Sequence, residues 1–282
     1  MIIAQVSDIH AAENNDNLAR FERALTWIDL ITPDALVLTG DLIDDNWRDG
    51  YAAIAAQLNK RSYPSFILPG NSDDRAAMKS ILHCHYWCNS GENDALHFVA
   101  DIGELRLIGL DTTIQGNPAG AIGEHLPWLA DNLISDGSAN SILFMHHPVI
   151  RSGIPPLDQI MCRDVVKLAE FLSEHPRKPI AISAGHVHRS MAGQLAGIPA
   201  YICGSICPEN PLWFGTAIVP PVNNFLSFIF HITDPFCCFT GHFAVGNADT
   251  LNVQSHSICP VGLNRVSISG KINVINHRNM TL

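Results

Sequence analysis

The chain has 282 residues, 47% of them hydrophobic, enough to bury one large core or two smaller ones. Its formal charge of −10 argues against a general binder of nucleic-acid backbone, which needs a basic face, but not against a cation site, whose carboxylates count as negative. No apolar run reaches the length of a membrane span, and MIIAQVSDIH enters a strand-like run with no basic segment before it, so a cytoplasmic protein with no membrane partner is expected.

Through the first two-thirds, short apolar runs alternate with amphipathic stretches. IIAQV (2–6), ALVL (35–38), SFIL (65–68), RLIGL (106–110), SILFM (141–145) and IAIS (180–183) are apolar almost throughout, as buried central strands are. Leu18, Phe21, Ala24, Leu25, Ile28 and Ile31 share one helical face, as do Val165, Leu168, Ala169 and Leu172. The alternation predicts an α/β fold with helices covering a sheet. Beyond Ser190 the segments QLAG, IPAYICG, FGTAIV and NFLSFIFHI read as further strands separated by Pro and Gly. The Phe-rich segment at 225–240 suits a core strand, with a homodimer contact as the alternative. We take residues 1–246 as one domain and 247–282, polar and Asn-rich, as a C-terminal extension of weak strands or tail.

The eight cysteines do not form a disulfide framework and read as reduced, buried thiols. The HCHYWC cluster (His83, Cys84, His85, Cys88) offers zinc-type ligands, but no second Cys/His pair comes after it at finger spacing. Cys203 and Cys207, flanking a Gly-Ser turn, read as buried thiols too.

The residues at the end of each apolar run are more informative. IIAQV leads to Asp8 and His10, ALVLT to Gly40-Asp41, SFILP to Gly70-Asn71, SILFM to His146-His147, and IAISA to Gly185-His186-Val-His188. Each alone has a plain explanation as a turn or a core histidine. Five strand ends delivering metal-competent side chains do not, because open α/β sheets place their ligand site at the carboxyl ends of the strands. The donors Asp8, His10, Asp41, Asn71, His146, His186 and His188 suit two divalent ions sharing one carboxylate. Their O/N character fits Mn, Fe, Co or Zn. His147 reads equally as a ligand or as a residue behind the ligands.

The series D-x-H, G-D, G-N-x-D, H-H-P and G-H-x-H resembles the calcineurin-like metallophosphoesterase superfamily over about residues 1–210. GDLID, PGNSDDR, LDT with LPWLADNL after it, and GHVHR are similar to its class III cyclic nucleotide phosphodiesterase and glycerophosphodiesterase branch. The resemblance implies a layered αββα sandwich with the dimetal site at the C-terminal ends of the strands. It implies one ion on Asp8, His10, Asp41 and His188, and a second on Asp41, Asn71, His146 and His186. A hydroxide between the ions would attack phosphorus. It further implies a small phosphodiester substrate, 3′,5′-cyclic nucleotides ahead of glycerophosphodiesters and other small diesters, while the acidic balance and the lack of a basic stripe speak against long nucleic acid.

One letter departs from the family pattern: Ser72 stands where the family has a histidine after the Asn. The family histidine is thought to assist the leaving oxygen, and a serine hydroxyl is a poor general acid near neutral pH. The departure leaves three expectations: cleavage limited to good leaving groups, another histidine (His147 first, His83 or His85 next) taking the role, or a metal-binding regulatory protein with weak catalysis. Asp41, Asn71 and His147 are therefore the candidate catalytic residues. Asp73 and Asp74 are expected to open a helix. Arg75 is expected in a salt bridge, Asp111 as the partner of a ligating histidine, and Asp44 and Asp45 in solvent.

Overall fold

The structure, a computed structural model, describes residues 1–88, 94–134, 140–211, 226–233, 238–245, 251–257 and 269–272. In chain order the first elements are β1 (Ile2–Val6), α1 (Asn17–Asp29), β2 (Ala35–Thr39), α2 (Asp49–Leu58), β3 (Ser65–Leu68) and α3 (Arg75–Leu82). Next come β4 (Phe98–Ile102), β5 (Leu105–Leu110), α4 (Leu126–Ile134), β6 (Asn140–Met145), α5 (Pro155–Asp158), α6 (Val165–Glu174) and β7 (Ala181–Ala184). The last are β8 (Met191–Leu195), β9 (Ile198–Ile202), β10 (Leu226–Thr233), β11 (Cys238–Val245), β12 (Leu251–Ser257) and β13 (Ser269–Ile272).

These strands form two sheets, ordered β13-β12-β11-β10-β1-β2-β3 and β4-β5-β6-β7-β9-β8. Within the first, β1, β2 and β3 run parallel, and β10 joins β1 antiparallel. Within the second, β5, β6, β7 and β9 run parallel between antiparallel edges. Side-chain alternation shows how the layers stack. Leu105, Leu107, Ile142, Phe144 and Tyr201 face the first sheet's core, whereas Ile108, Leu110, Leu143, Met145 and Ile182 face Leu129, Leu168 and Leu172 of α4 and α6. On the other side Phe21, Ala24, Leu25 and Ile28 of α1 pack on the first sheet. The arrangement is αββα, with every parallel strand of both sheets aimed at one end of the sandwich.

Some elements differ from expectation and others match it. α1 stops at Asp29, so Ile31 lies outside the helix and is exposed. The Phe-rich segment contributes β10, whose Leu226, Phe228 and Phe230 are buried in the core. The expected FGTAIV strand lies outside the described residues. β12 and β13, from the 247–282 extension, pair onto β11 and each other. Cys84 and Cys88 are free thiols and join no metal-competent group among the described residues. Their neighbours Tyr86 and Trp87 instead bond the backbone of Ile67 on edge strand β3, at 2.9 and 2.8 Å. No helix among the described residues is long and apolar enough to cross a membrane.

A buried polar network stitches the two sheets together. Gln5 Nε2 donates to Thr39 Oγ1 (3.0 Å) and, across the sandwich, to the Ala184 carbonyl (3.2 Å). Gln5 Oε1 accepts from Ser183 Oγ and meets His231 Nε2 at 3.2 Å. Burial, with His242 nearby, pushes His231 down to about 3. Since an unfolded histidine titrates near 6.5, the neutral ring stabilises the fold fully above that pH, and the contribution is lost as pH falls toward 3. One such proton is worth up to about 1.4 kcal/mol per pH unit in that window. In urea titrations of metal-free protein near pH 7.5 and pH 4.5, the wild type should therefore lose about 2 kcal/mol more than His231→Gln. Equal losses would mean that His231 accepts its proton without opening the fold.

Candidate functional site

At the common end of the parallel strands, seven side chains converge. β1 leads to Asp8 and His10, β2 to Asp41, β3 to Asn71, β6 to His146, and β7 to His186 and His188. Five of the seven hold a backbone conformation that side-chain-bearing residues seldom adopt: φ is +56° at Asp8, +50° at His10, +52° at Asp41, +74° at His186 and +55° at His188. Such strain, of order 1–3 kcal/mol per residue, persists only where the surroundings over-determine it, and it gathers at functional sites. Here it lets two residues of one loop turn toward the centre, Asp8 and His10 into one set of atoms, His188 into that set and His186 into the adjoining one.

The converging atoms fall into two sets. In the first, His10 Nε2 is 3.0 Å from His188 Nε2 and 3.4 Å from Asp41 Oδ2, and His188 Nε2 is 3.3 Å from Asp8 Oδ1. In the second, His146 Nε2 is 3.2 Å from both Asn71 Oδ1 and His186 Nδ1, and 3.4 Å from Asp41 Oδ2. Donor atoms each about 2.1 Å from one octahedral ion sit about 3 Å apart, so both sets have the right spacing. Asp41 Oδ2 belongs to both. Its other oxygen is taken by the backbone N–H of Ser72 at 2.8 Å, which fixes the carboxylate's rotation.

The charges fit cations as well. Asp8 and Asp41 are fully buried, and their ion pairs are all with imidazoles. Burial alone would raise both carboxyls; His146 and His10 nevertheless hold Asp41 well below the usual range, and His188 lowers Asp8. In return, against the cost of burial, Asp41 drives His146 up to about 9, and Cys207 and Asp8 drive His188 up to about 10. His186 moves the other way, to about 3, through burial and the charge on His146. The pocket therefore demands positive charge between buried carboxylates, which divalent ions supply. These residues fit two ions.

A model of the family described as calcineurin-like phosphoesterase matches residues 1–190. The chain belongs to that family. Among its relatives, a probable glycerophosphodiester phosphodiesterase of Arcobacter nitrofigilis is 30% identical over 67% of this chain and 72% of its own length. A cAMP/cGMP dual specificity phosphodiesterase of Mycobacterium tuberculosis is 30% identical over 75% of this chain and 69% of its own. A 3′,5′-cyclic adenosine monophosphate phosphodiesterase of Escherichia coli is 28% identical over 67% and 70%. The fold also matches a dimetal phosphatase from Danio rerio with a TM-score of 0.64, at 14% identity, over 85% of this chain and 95% of that one.

Around this phosphoesterase centre several residues sit differently from the sequence expectation. Asp44, expected in solvent, holds His10 Nδ1 at 2.6 Å and so turns Nε2 inward. His146 is braced the same way by the Thr39 carbonyl at 2.7 Å. Asp111 does not meet a ligating histidine. It accepts from the backbone of Leu96 and Thr113 and forms the ion pair with Arg75 at 3.4 Å. Asp74 alone caps α3, whereas Asp73 accepts from the backbone N–H of Gly70 and Leu42 and from the Tyr51 hydroxyl, tying the loops after β2 and β3 together. GDLIDD carries the carboxylate, and the pairing of Ala11 with Ile43 decides that it reaches His10. Asp44→Ala should weaken binding of the ion nearest His10 about 10- to 100-fold in a metal-competition titration, with the second ion little affected. Unchanged affinity at both positions would remove Asp44 from the centre.

The two candidate proton donors are also placed. Ser72 Oγ donates to the Ile43 carbonyl at 2.8 Å, so its hydroxyl serves the loop. His147 lies against His146 and His186, but its Nδ1 meets Thr112 Oγ1 at 2.8 Å and its Nε2 meets the Pro118 carbonyl at 3.1 Å. Burial and the charge on His146 hold it well below the usual histidine range. Both ring nitrogens are thus engaged, and His147 still forms one group of ligand-type atoms with His146 and His186. Ser72→Ala should accordingly leave kcat/KM for a diester within a few-fold while lowering stability by about 1 kcal/mol. A hundredfold rate loss would assign the hydroxyl to the chemistry instead.

Proposed function

We propose that the protein is a dimetal phosphodiesterase acting on a small phosphodiester, a 3′,5′-cyclic nucleotide first and a glycerophosphodiester next. One observation carries the reading: Asp41 Oδ2 lies 3.4 Å from His10 Nε2 and 3.4 Å from His146 Nε2, one carboxylate oxygen between two complete donor sets. Asp8, His10, Asp41 and His188 would hold one ion, and Asp41, Asn71, His146 and His186 the other. Two such ions, Mn, Fe, Co or Zn by donor type, supply Lewis acidity at phosphorus and a strong nucleophile at neutral pH.

The chain's own residues do the rest. Asn71 contributes a neutral oxygen, which limits the negative charge facing an anionic diester, and its amide nitrogen can donate to a phosphoryl oxygen. Asp44 and the Thr39 carbonyl fix the tautomers of His10 and His146. Because Ser72 and His147 are occupied, leaving-group protonation is weak here, and activated diesters should react far faster than unactivated ones. Five free thiols among the described residues favour a reducing compartment, and we place the protein in the cytoplasm.

The test is hydrolysis of cyclic AMP, glycerophosphoethanolamine, bis(p-nitrophenyl) phosphate and p-nitrophenyl phosphate by metal-free protein, before and after Mn²⁺. Metal-dependent diester cleavage above the monoester rate supports the reading. Two bound ions with no turnover of any substrate would replace it with a metal-binding regulatory protein.

A further inference from the structure

Beyond the end of the matched region, the segment Ser205–Cys207 runs beside the loop that carries Asp8. The backbone N–H of Ile206 bonds the Ser7 carbonyl and that of Cys207 bonds the Asp8 carbonyl, both at 3.0 Å. Ser205 Oγ closes the turn on the Cys207 carbonyl at 2.7 Å, and the buried Arg20 side chain holds the Ile206 carbonyl. The Cys207 side chain is thereby delivered to the back of His188, with Sγ 3.3 Å from Nδ1 and the residue 5% exposed. Together with His10, these side chains form one compact group of ligand-type atoms.

The other side of the His188 ring is committed, because Nε2 faces Asp8 Oδ1 at 3.3 Å and His10 Nε2 at 3.0 Å. For Nε2 to offer its lone pair inward, Nδ1 must carry the proton, and that proton needs an acceptor. His10 has Asp44 for this purpose and His146 has the Thr39 carbonyl. His188 has sulfur. Cys203, four residues earlier, differs: its thiol points at the Gln5 carbonyl within the core.

We propose that Cys207 is a positioning residue for the metal centre, its sulfur accepting the Nδ1 proton of His188 and so fixing the ring for the ion shared with Asp8, His10 and Asp41. The inference rests on the dimetal reading above. A sulfur is a weaker hydrogen-bond acceptor than the carboxylate oxygen on His10, so the two imidazoles of one donor set are braced unequally. Loss of the brace falls on ion affinity at that position, not on the neighbouring set of Asn71, His146 and His186.

The experiment compares Cys207→Ala and Cys207→Ser with the wild-type full chain. Mn²⁺ titrations, with the rate at saturating Mn²⁺, should show one ion bound about 10-fold more weakly in Cys207→Ala and the other unchanged. Cys207→Ser, which restores an acceptor, should recover most of that loss. In metal-free protein, the downfield imidazole N–H proton of His188, assigned by its disappearance in His188→Gln, should be lost in Cys207→Ala and present in Cys207→Ser. Lowered thermal stability with unchanged ion affinity and an unmoved His188 proton would make Cys207 a packing residue and overturn the proposal. If the wild type binds no ions, the dimetal reading fails by itself, and the His188 proton still decides whether Cys207 holds the ring. If Cys207→Ala does not fold, the same proton in Cys207→Ser decides it: present, Cys207 is the brace; absent from the wild type, it is not.

Discussion

Replacing Asp41 with asparagine should lower kcat/KM for an activated diester by at least about 10³-fold, some 4 kcal/mol in activation free energy, and reduce the bound ions from two to one or none. The substitution conserves volume, so its effect falls on one atom. Asp41 Oδ1 accepts the Ser72 N–H at 2.8 Å, while Oδ2 lies between His10 and His146. An asparagine that keeps its oxygen toward Ser72 turns an NH₂ group, which has no lone pair to give, toward both donor sets. An asparagine flipped the other way sets its NH₂ against the Ser72 N–H, donor against donor, inside a buried loop. Neither orientation holds two ions. Ion counting by mass spectrometry on the purified variant, beside the diester assay, checks both halves of the expectation. Near-normal rates with two ions retained would sink the shared-oxygen arrangement.

The convergence of the seven side chains was legible in the sequence because each comes soon after an apolar strand, and strand ends in parallel sheets share one edge. The supporting residues were not legible in this way. Asp44 reaches His10 because Asp41, at φ +52°, turns the chain so that Ala11 and Ile43 pair and the Asp44 N–H meets the Ala11 carbonyl at 2.9 Å. That turn depends on the site being assembled, and periodicity carries no trace of it. The direction of the Ser72 hydroxyl is hidden for the same reason, since it depends on where the Ile43 carbonyl sits. Strand β4, half-exposed at a sheet edge, lacks the continuous apolar signal of its neighbours. β10 reads as a strand, but its antiparallel place beside β1 joins distant parts of the chain. Local pattern therefore located the converging side chains, whereas non-local contacts decided what braces them.

The same dependence on assembled loops makes Gly70→Ala damaging to the centre although the residue offers it no donor atom. Gly40, at φ +89°, and Gly70 bring the loops after β2 and β3 into backbone contact. A Cβ on Gly70 would overlap the backbone nitrogen of Asp41 and its carboxyl group. The far end of a long side chain could move aside, but the backbone beside a strained residue cannot. Asp73, which clamps Gly70 N–H to Leu42 N–H, holds the two loops at this separation. The alanine variant must therefore displace the Asp41 carboxylate, and a shift near 1 Å at a reacting centre costs about 100-fold in rate. We expect Gly70→Ala to fold, to lose about 1–3 kcal/mol of stability, and to fall about 100-fold or more in kcat/KM with weaker binding of both ions. The loss should fall on both positions together, because Asp41 serves both. Weakening confined to one ion would show that the carboxylate pivots about one donor set, and full activity would show that the loops separate freely.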